Sequence, residues 1–185
     1  MSHIYIALVD TPGFFAALIR RFLKQRYIHV VIARDAGLTE AYSVGRRFPE
    51  IPLLAGFEKE DKRRILNTFP TAAYCVCELD CSSEQKEQVF RRLKEDYERR
   101  LHIHYAVFGL LFLVLGIPFY MRDHYTCSSY IARILQENGM PVSDKHFSLV
   151  TPKDFYEYKD MRVVFEGRLS EIAQDYRMQR ISAYE

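Results

Sequence analysis

The sequence lacks a strong excess of charge of either sign and lacks the common nucleotide-binding motifs. Its 26 Lys and Arg residues nearly balance 24 Asp and Glu residues, which leaves a formal net charge of +2. Domains that bind nucleic acid usually carry a large basic excess, so we expect no nucleic-acid partner. The sequence also has no glycine-rich phosphate loop, dinucleotide fingerprint, internal repeat or low-complexity tract. We therefore predict no cofactor.

Signals for secretion and for membrane insertion are also weak. The opening MSHIYIALVD has no basic segment followed by a long apolar stretch, so we expect no signal peptide and a cytoplasmic protein. The most apolar run, residues 105–121, is uncharged and contains Gly109, Gly116 and Pro118. It lies at or below the lower length limit for crossing a bilayer, and we interpret it as a buried core helix. Membrane contact, or a wall of an acyl-binding site, is the alternative interpretation.

Cysteine is scarce, with 4 in 185 residues. Cys75, Cys77 and Cys81 are clustered and Cys127 stands alone, so the set is unsuited to cross-linking the chain and we expect reduced thiols. The C-x-C-x-x-x-C spacing superficially resembles zinc ligands. No fourth ligand is spaced nearby, so we predict no metal site and interpret the three as strand residues, with a zinc site as the alternative.

Length and composition predict a single domain over residues 1–185, because 49% hydrophobic and 27% charged residues suit one substantial core. Periodicity predicts strands at residues 3–9, 27–35, 38–45, 71–79, 147–150 and 161–167. It predicts helices at residues 14–23, 85–101 and 127–138, and a short helix in the tail from residue 168. Residues 46–61 are rich in Pro and Gly, and we predict a surface loop there.

One cysteine occupies the first turn of a well-marked helix. Apolar residues recur at the helical spacing i, i+3, i+4, i+7, i+8, namely Cys127, Tyr130, Ile131, Ile134 and Leu135. Thr126 can cap the start of this helix, and Gly139 marks its end. A thiol at a helix N-terminus has a lowered pKa, which favours the nucleophilic thiolate. The alternative is a small buried residue that begins a helix by coincidence.

A single histidine interrupts a β-branched strand. His29 is the only ionisable side chain between Tyr27 and Arg34, so it is either satisfied in the core or held for chemistry. A turn signal follows, and the next strand returns as the partner of a hairpin. Glu40, Tyr42 and Ser43 then become candidates to hold the imidazole. Glu40 could equally be an exposed charge at the end of the strand.

Three motifs in this order carry a family resemblance: YIHVVIA at residues 27–33, EAYSVGR at residues 40–46 and YTCSSYIA at residues 125–132. They resemble the circularly permuted branch of the NlpC-type papain-like cysteine hydrolases, in which the histidine strand precedes the cysteine helix. The chain is similar to uncharacterised bacterial members over nearly its full length. The resemblance implies an α+β, papain-like fold. In that fold an antiparallel sheet or partial barrel packs against helices that include the nucleophile helix.

The resemblance also implies roles for individual residues. Cys127 would be the nucleophile and His29 the general base, later the acid for the leaving group. Glu40 is the residue that we expect to orient the imidazole, with Ser43 as the alternative, because the third position varies within this superfamily.

The same resemblance implies an oxyanion pocket and a reaction class. The backbone N–H of Cys127 would stabilise the oxyanion, and Tyr125, Ser43 and Tyr42 are candidates for the pocket, although Tyr125 could merely pack. We predict an amidase or peptidase that acts on a small peptide or acyl substrate through a thioester. The alternatives are a lipid enzyme of the lecithin retinol acyltransferase type and a non-catalytic binding module on the same fold.

Overall fold

A computed structural model describes residues 1–12, 17, 20–21, 24–48 and 51–172 of the chain. Most of the helix predicted at residues 14–23, and nearly all of the predicted tail helix, lie outside the described residues.

The described strands form one sheet. They are β1 (Ser2–Asp10), β2 (His29–Ala33), β3 (Ala41–Phe48), β4 (Ile51–Lys59), β5 (Ala73–Cys81), β6 (His104–Tyr105), β7 (His124–Tyr125) and β8 (Met161–Arg168). Their order in the sheet is β7-β6-β4-β3-β2-β1-β5-β8. Neighbouring strands are antiparallel except β6 and β7, which are parallel. The strands predicted around β1, β2, β5 and β8 are confirmed.

Helices connect and cover these strands. They are α1 (Lys62–Thr68), α2 (Ser83–Glu98), α3 (Val107–Leu115), α4 (Cys127–Glu137) and α5 (Pro152–Tyr156), with 3-10 turns at Arg100–His102 and Phe147–Leu149. Helix α2 contacts β1 and β4, and α4 contacts β2 and β3. The combination of a mainly antiparallel sheet with separate covering helices confirms the α+β class.

The two faces of the sheet carry separate cores, because successive strand residues point to opposite sides. Val30 and Ile32 of β2 belong to the larger core, which includes the buried stripe of α4. Val31 and Ala33 belong to the smaller core on the other face. Each fully buried aliphatic side chain stabilises the fold by about 1.5–3 kcal/mol, so the buried stripe is a main anchor of α4.

The prediction of a surface loop at residues 46–61 is wrong. Strand β3 continues to Phe48, and β4 returns from Ile51 to Lys59 as its antiparallel partner. The residues that indicated a loop fit a strand here: Pro52 is the second residue of β4, and Gly56 pairs with Gly45 of β3. Proline near the start of a strand and glycine where two backbones approach are both tolerated.

The prediction of a buried core helix at residues 105–121 is also wrong. A helix does form, as α3, but Phe108 is 76% exposed and Leu111 and Leu115 are each 59% exposed. A run without any polar face gives no indication of which side would be buried, so its composition could not reveal this exposure. Among the described residues, no helix has the length and apolar character needed to cross a membrane.

The strand predicted at residues 147–150 is a 3-10 turn.

Candidate active site

The start of strand β2 brings His29 to a place where the sheet opens. Strand β1 pairs with β2 as far as His29, which lies opposite Val9. The β2–β3 ladder, in contrast, consists of Ile32 with Tyr42 and Ala33 with Ala41, close to the hairpin turn. Backbone groups of β2 before Ile32 therefore lie outside this ladder and are accessible to another partner.

That partner is the sulfur of Cys127, the first residue of α4. Its Sγ lies 4.0 Å from the carbonyl oxygen of Ile28, and the backbone N–H groups of Val30 and Ser128 donate to it. Cys127 is 4% exposed, and α4 places it there because the buried stripe of the helix packs on β2 and β3. The thiol thus meets two sets of main-chain groups, one from the helix start and one from the open strand.

Thr126 fixes the start of α4. Its Oγ1 accepts a hydrogen bond from the Ser129 N–H at 3.1 Å, and Ser129 Oγ accepts one from the Thr126 N–H at 2.9 Å. This reciprocal capping confirms the predicted N-cap. At the other end Asn138 is the C-cap, followed by Gly139 with φ of 74°, a left-handed conformation that favours glycine. Both ends of α4 are therefore defined by local sequence.

Cys127 and His29 interact, and the interaction changes the pKa of both groups. Burial by itself raises the pKa of the Cys127 thiol, but the imidazole, the positive charge that it carries and the two backbone N–H donors lower it overall. Burial by itself lowers the pKa of His29, but the hydrogen bond and charge of Cys127, followed by those of Glu60, raise it to about 10. The pair therefore favours a thiolate beside an imidazolium at neutral pH.

A carboxylate and a hydroxyl hold the other side of the imidazole. Ser43 Oγ donates to Glu60 Oε1 at 2.5 Å. His29 Nε2 lies 3.2 Å from Ser43 Oγ and 3.4 Å from Glu60 Oε1, so its N–H donates to both oxygens. The side chains of His29 and Glu60 are 24% and 19% exposed, so they are shielded from bulk water only in part.

Gly45 makes room for the ring. A Cβ at this position would lie 2.9 Å from His29 Cε1, closer than side chains normally approach, and 3.4 Å from Ser43 Oγ. The imidazole therefore lies against the backbone of β3. A side chain at residue 45 would push the ring away from Ser43 and Glu60.

The structure does not bring Glu40 to the imidazole, so the predicted third residue requires correction. Glu40 precedes β3 at the turn end of the hairpin, and its carboxylate lies 3.3 Å from Arg34 Nε and 3.4 Å from Lys94 Nζ. It also accepts a hydrogen bond from Tyr42 at 3.2 Å. The hairpin register places this charge at the opposite end of β2 from His29. The predicted alternative, Ser43, does contact the ring.

Glu60 is the residue that the sequence analysis missed. It follows β4, and its N–H donates to the Ala41 carbonyl at 2.9 Å, which holds it beside β3. Interpreting residues 46–61 as a loop concealed this placement. Recognition of β4 as the partner of β3 would have placed Glu58 opposite Ser43 and Glu60 diagonally from it on the same face of the sheet, so both glutamates would have become candidates.

The two tyrosines predicted for the pocket, Tyr42 and Tyr125, pack in the larger core instead. Tyr42 is 3% exposed and stacks on Phe57, with ring centroids 5.9 Å apart. Tyr125 is 7% exposed and its hydroxyl accepts a hydrogen bond from Arg133 at 2.7 Å. Its ring packs edge-on against Tyr130, with centroids 5.4 Å apart. Of the alternatives given for Tyr125, packing is the role that these contacts describe.

Metal ligands are not grouped in the described part of the chain, where no three His, Cys, Asp or Glu side chains converge. The sulfurs of Cys75 and Cys77 lie 3.8 Å apart inside the larger core.

No protein-family model matches the sequence, and no curated protein matches it. The chemistry of Cys127, His29, Ser43 and Glu60 is therefore the basis for a functional assignment.

Proposed function

We propose that the protein is a thiol hydrolase of the amidase or peptidase type, in which Cys127 is the nucleophile and His29 the acid–base residue. The observation that carries the proposal is that the sulfur of Cys127 lies at the start of the histidine strand, 4.0 Å from the carbonyl oxygen of Ile28, where its interaction with His29 lowers the pKa of the thiol and raises that of the imidazole. Two unrelated structural residues would have no reason to meet in this way. A nucleophile and its base require it.

The reaction would proceed through a thioester. The Cys127 thiolate attacks the carbonyl carbon of an amide, a C–S bond forms, and the carbonyl electron pair moves to oxygen. N–H groups at the start of α4 stabilise that oxyanion, and His29 gives its proton to the departing amine as the C–N bond breaks. Water then attacks the thioester, with neutral His29 taking its proton, and the thiolate leaves. Ser43 and Glu60 hold the imidazole in position throughout.

Two features of the chain order and packing support, within this proposal, a circularly permuted papain-like domain of the NlpC type. The histidine strand precedes the cysteine helix in the chain, and α4 packs on the strand that carries the histidine. Within this proposal Glu60, bridged through Ser43, takes the orienting role that the resemblance implied for Glu40.

The first test is alkylation of the native protein by iodoacetamide across about pH 4 to pH 9, with each cysteine quantified by mass spectrometry. In wild type we expect Cys127 to react at a pH below the usual thiol range. In His29→Ala we expect its profile to move above that range, because burial then acts without the imidazolium. Cys75, Cys77 and Cys81 serve as internal controls whose profiles should not change. An unchanged Cys127 profile in His29→Ala would refute the pair.

The second test is turnover of a panel of peptide amides and acyl esters. Activity should disappear in Cys127→Ser and His29→Ala while both variants keep the wild-type circular dichroism spectrum. Acyl esters belong in the panel because the exposed apolar surface of α3 favours an acyl substrate as the second candidate. If no substrate of the panel is turned over although the alkylation profile of Cys127 shifts in His29→Ala, the proposal becomes a binding module with a reactive thiol.

A further inference from the structure

We propose that α3 and its flanking turns, residues 106–123, form a docking surface for the anionic face of a phospholipid bilayer. We call these residues the α3 segment. Exposed apolar residues define its outer surface: Val107, Phe108, Leu111, Val114, Leu115, Ile117 and Met121, each between 45% and 76% exposed. A contiguous exposed apolar surface of this kind marks an interaction site.

Helical spacing gathers these side chains on one side. Positions 107, 108, 111, 114 and 115 follow the i, i+1, i+4, i+7, i+8 pattern of a single helix face. The opposite face includes Gly109, the one residue of α3 that is buried. The exposed stripe is therefore the outer face of a helix that is already seated on the protein, and it is directed away from it.

The α3 segment projects from one edge of the sheet. The chain leaves from β6 and returns on β7, which pair in parallel at His104 with His124 and Tyr105 with Tyr125. Inside the projection, the rings of Phe112 and Phe119 stack with centroids 4.4 Å apart. The segment is held to the rest of the protein at the Phe147–Leu149 turn, where the Phe119 N–H donates to Ser148 Oγ at 3.2 Å. Strand β8 lies at the opposite edge of the sheet.

A charged pair and an exposed tyrosine lie at the C-terminal end of the α3 segment, next to β7. The side chain of Arg122 is 91% exposed. Two residues later, His124 pairs with His104 between β7 and β6, and the two rings lie 5.0 Å apart. Asp123 lies 3.6 Å from Arg122 and offsets part of that charge. Tyr120 is 39% exposed. An exposed apolar helix followed by Tyr120 and Arg122 matches the order of acyl chains and anionic headgroups.

The lack of hydrogen-bonding side chains favours a bilayer over a protein partner. From residue 105 to residue 121, Tyr105 and Tyr120 are the side chains with a polar atom. Protein interfaces form about one hydrogen bond per 100–200 Å² of buried surface and have a polar rim. The bilayer interior needs no such partners, and α3 is too short to span it, so the helix would lie in the interface.

Sedimentation with sonicated vesicles tests this docking surface. The vesicles contain phosphatidylcholine alone or with about 30% phosphatidylglycerol. We expect the wild type to bind the anionic vesicles, and Phe108→Asp/Leu111→Asp to bind at least about tenfold more weakly. The matched control is Val163→Asp/Val164→Asp on β8, which adds the same charge at residues that are 51% and 43% exposed. The control should bind as the wild type does.

Three further results separate the explanations. Arg122→Glu should lose the preference for anionic vesicles and keep any binding to neutral ones. Cys127→Ser should bind like the wild type, so docking can hold even if the proposed catalysis fails. Absence of wild-type binding would overturn the proposal. So would a dimer in analytical ultracentrifugation that the α3 substitutions disperse, because a second copy of the chain would then be the occupant. Melting temperatures of all variants confirm that each one folds.

Discussion

Replacing Glu60 with glutamine is the sharpest perturbation of the proposed site, because it removes a charge and keeps the shape. The carboxylate oxygen lies 3.4 Å from His29 Nε2 and 2.5 Å from Ser43 Oγ. The side-chain amide of the Glu60→Gln variant would still be able to accept the hydrogen bond from Ser43. What disappears is the negative charge that stabilises the imidazolium.

The size of the effect follows from the contact distance. Two unit charges about 4 Å apart interact by about 4 kcal/mol near a protein surface, and residual contact with water reduces that figure. An opposite charge this close changes a pKa by roughly 1–3, and exposure of both side chains places Glu60 in the lower part of that range. We therefore expect Glu60→Gln to lower the pKa of His29 by roughly 1–2 from its value of about 10.

The assay is an NMR titration of the His29 Cε1 proton, with Glu40→Gln as the matched control. Both variants lose one carboxylate, but Glu40 contacts Arg34 and Lys94 at the far end of the hairpin. The control should titrate like the wild type. If Glu40→Gln lowers the pKa of His29 and Glu60→Gln does not, the assignment of the orienting residue is reversed.

Stability gives a second readout with a definite sign. The folded-state pKa of His29 is above its unfolded value of about 6.5, so the stabilisation linked to its proton is complete below about pH 6.5. It is lost as the pH rises through about 10. Urea unfolding should show the wild type losing its advantage over Glu60→Gln between about pH 8 and pH 10, by roughly 1–3 kcal/mol. A difference that does not change with pH would contradict the charge interaction.

Two other substitutions test the packing around the site. Gly45→Ala would place a methyl carbon 2.9 Å from His29 Cε1, so we expect slower alkylation of the cysteine at the start of α4 with a melting temperature near that of the wild type. An unchanged alkylation rate would show that the ring has space to spare. Asp96 is 2% exposed and accepts hydrogen bonds from Tyr130 and two arginines. Asp96→Ala should cost about 3 kcal/mol in urea unfolding, whereas Glu95→Ala on the exposed side of α2 should cost less than about 0.5 kcal/mol. Equal losses would refute the role of the buried network.

Local patterns predicted those elements whose signals are contained within a few residues. The cap at Thr126, the apolar stripe of α4 and the glycine stop at Gly139 all follow from side chains within the helix itself. Strand β2 was recognisable for the same reason, since its β-branched run defines its span. The exposure of α3, in contrast, could not be predicted from its sequence. Whether an apolar helix is covered depends on what the remaining chain leaves open, which no local pattern contains.

The residues of the candidate site differ in the same way: local patterns predict two of them, and the third depends on strand pairing. Cys127 and His29 were predictable because each stands out in its own element, one at a helix start and one within an apolar strand. The orienting residue depends instead on the register of two hairpins. Glu40 and Glu60 are equivalent candidates in composition. The pairing of β4 with β3 brings the end of β4 beside Ser43, and the hydrogen bond from Ser43 identifies Glu60 as the contacting carboxylate. A carboxylate found by proximity in sequence was therefore the wrong one.

The opening between β2 and β3 links the fold to the proposed chemistry. If the β2–β3 ladder continued along the whole of β2, the N–H of Val30 would be paired within the sheet and would not be free to donate to the sulfur of Cys127. The same opening leaves room beside Gly45 for the ring of His29. A single feature of strand pairing thus supplies the N–H donor that stabilises the thiolate and the space for the imidazole. The proposed activation therefore depends on where the ladder ends, and a substitution that extended it would be expected to raise the pKa of the thiol while leaving both reactive side chains in place.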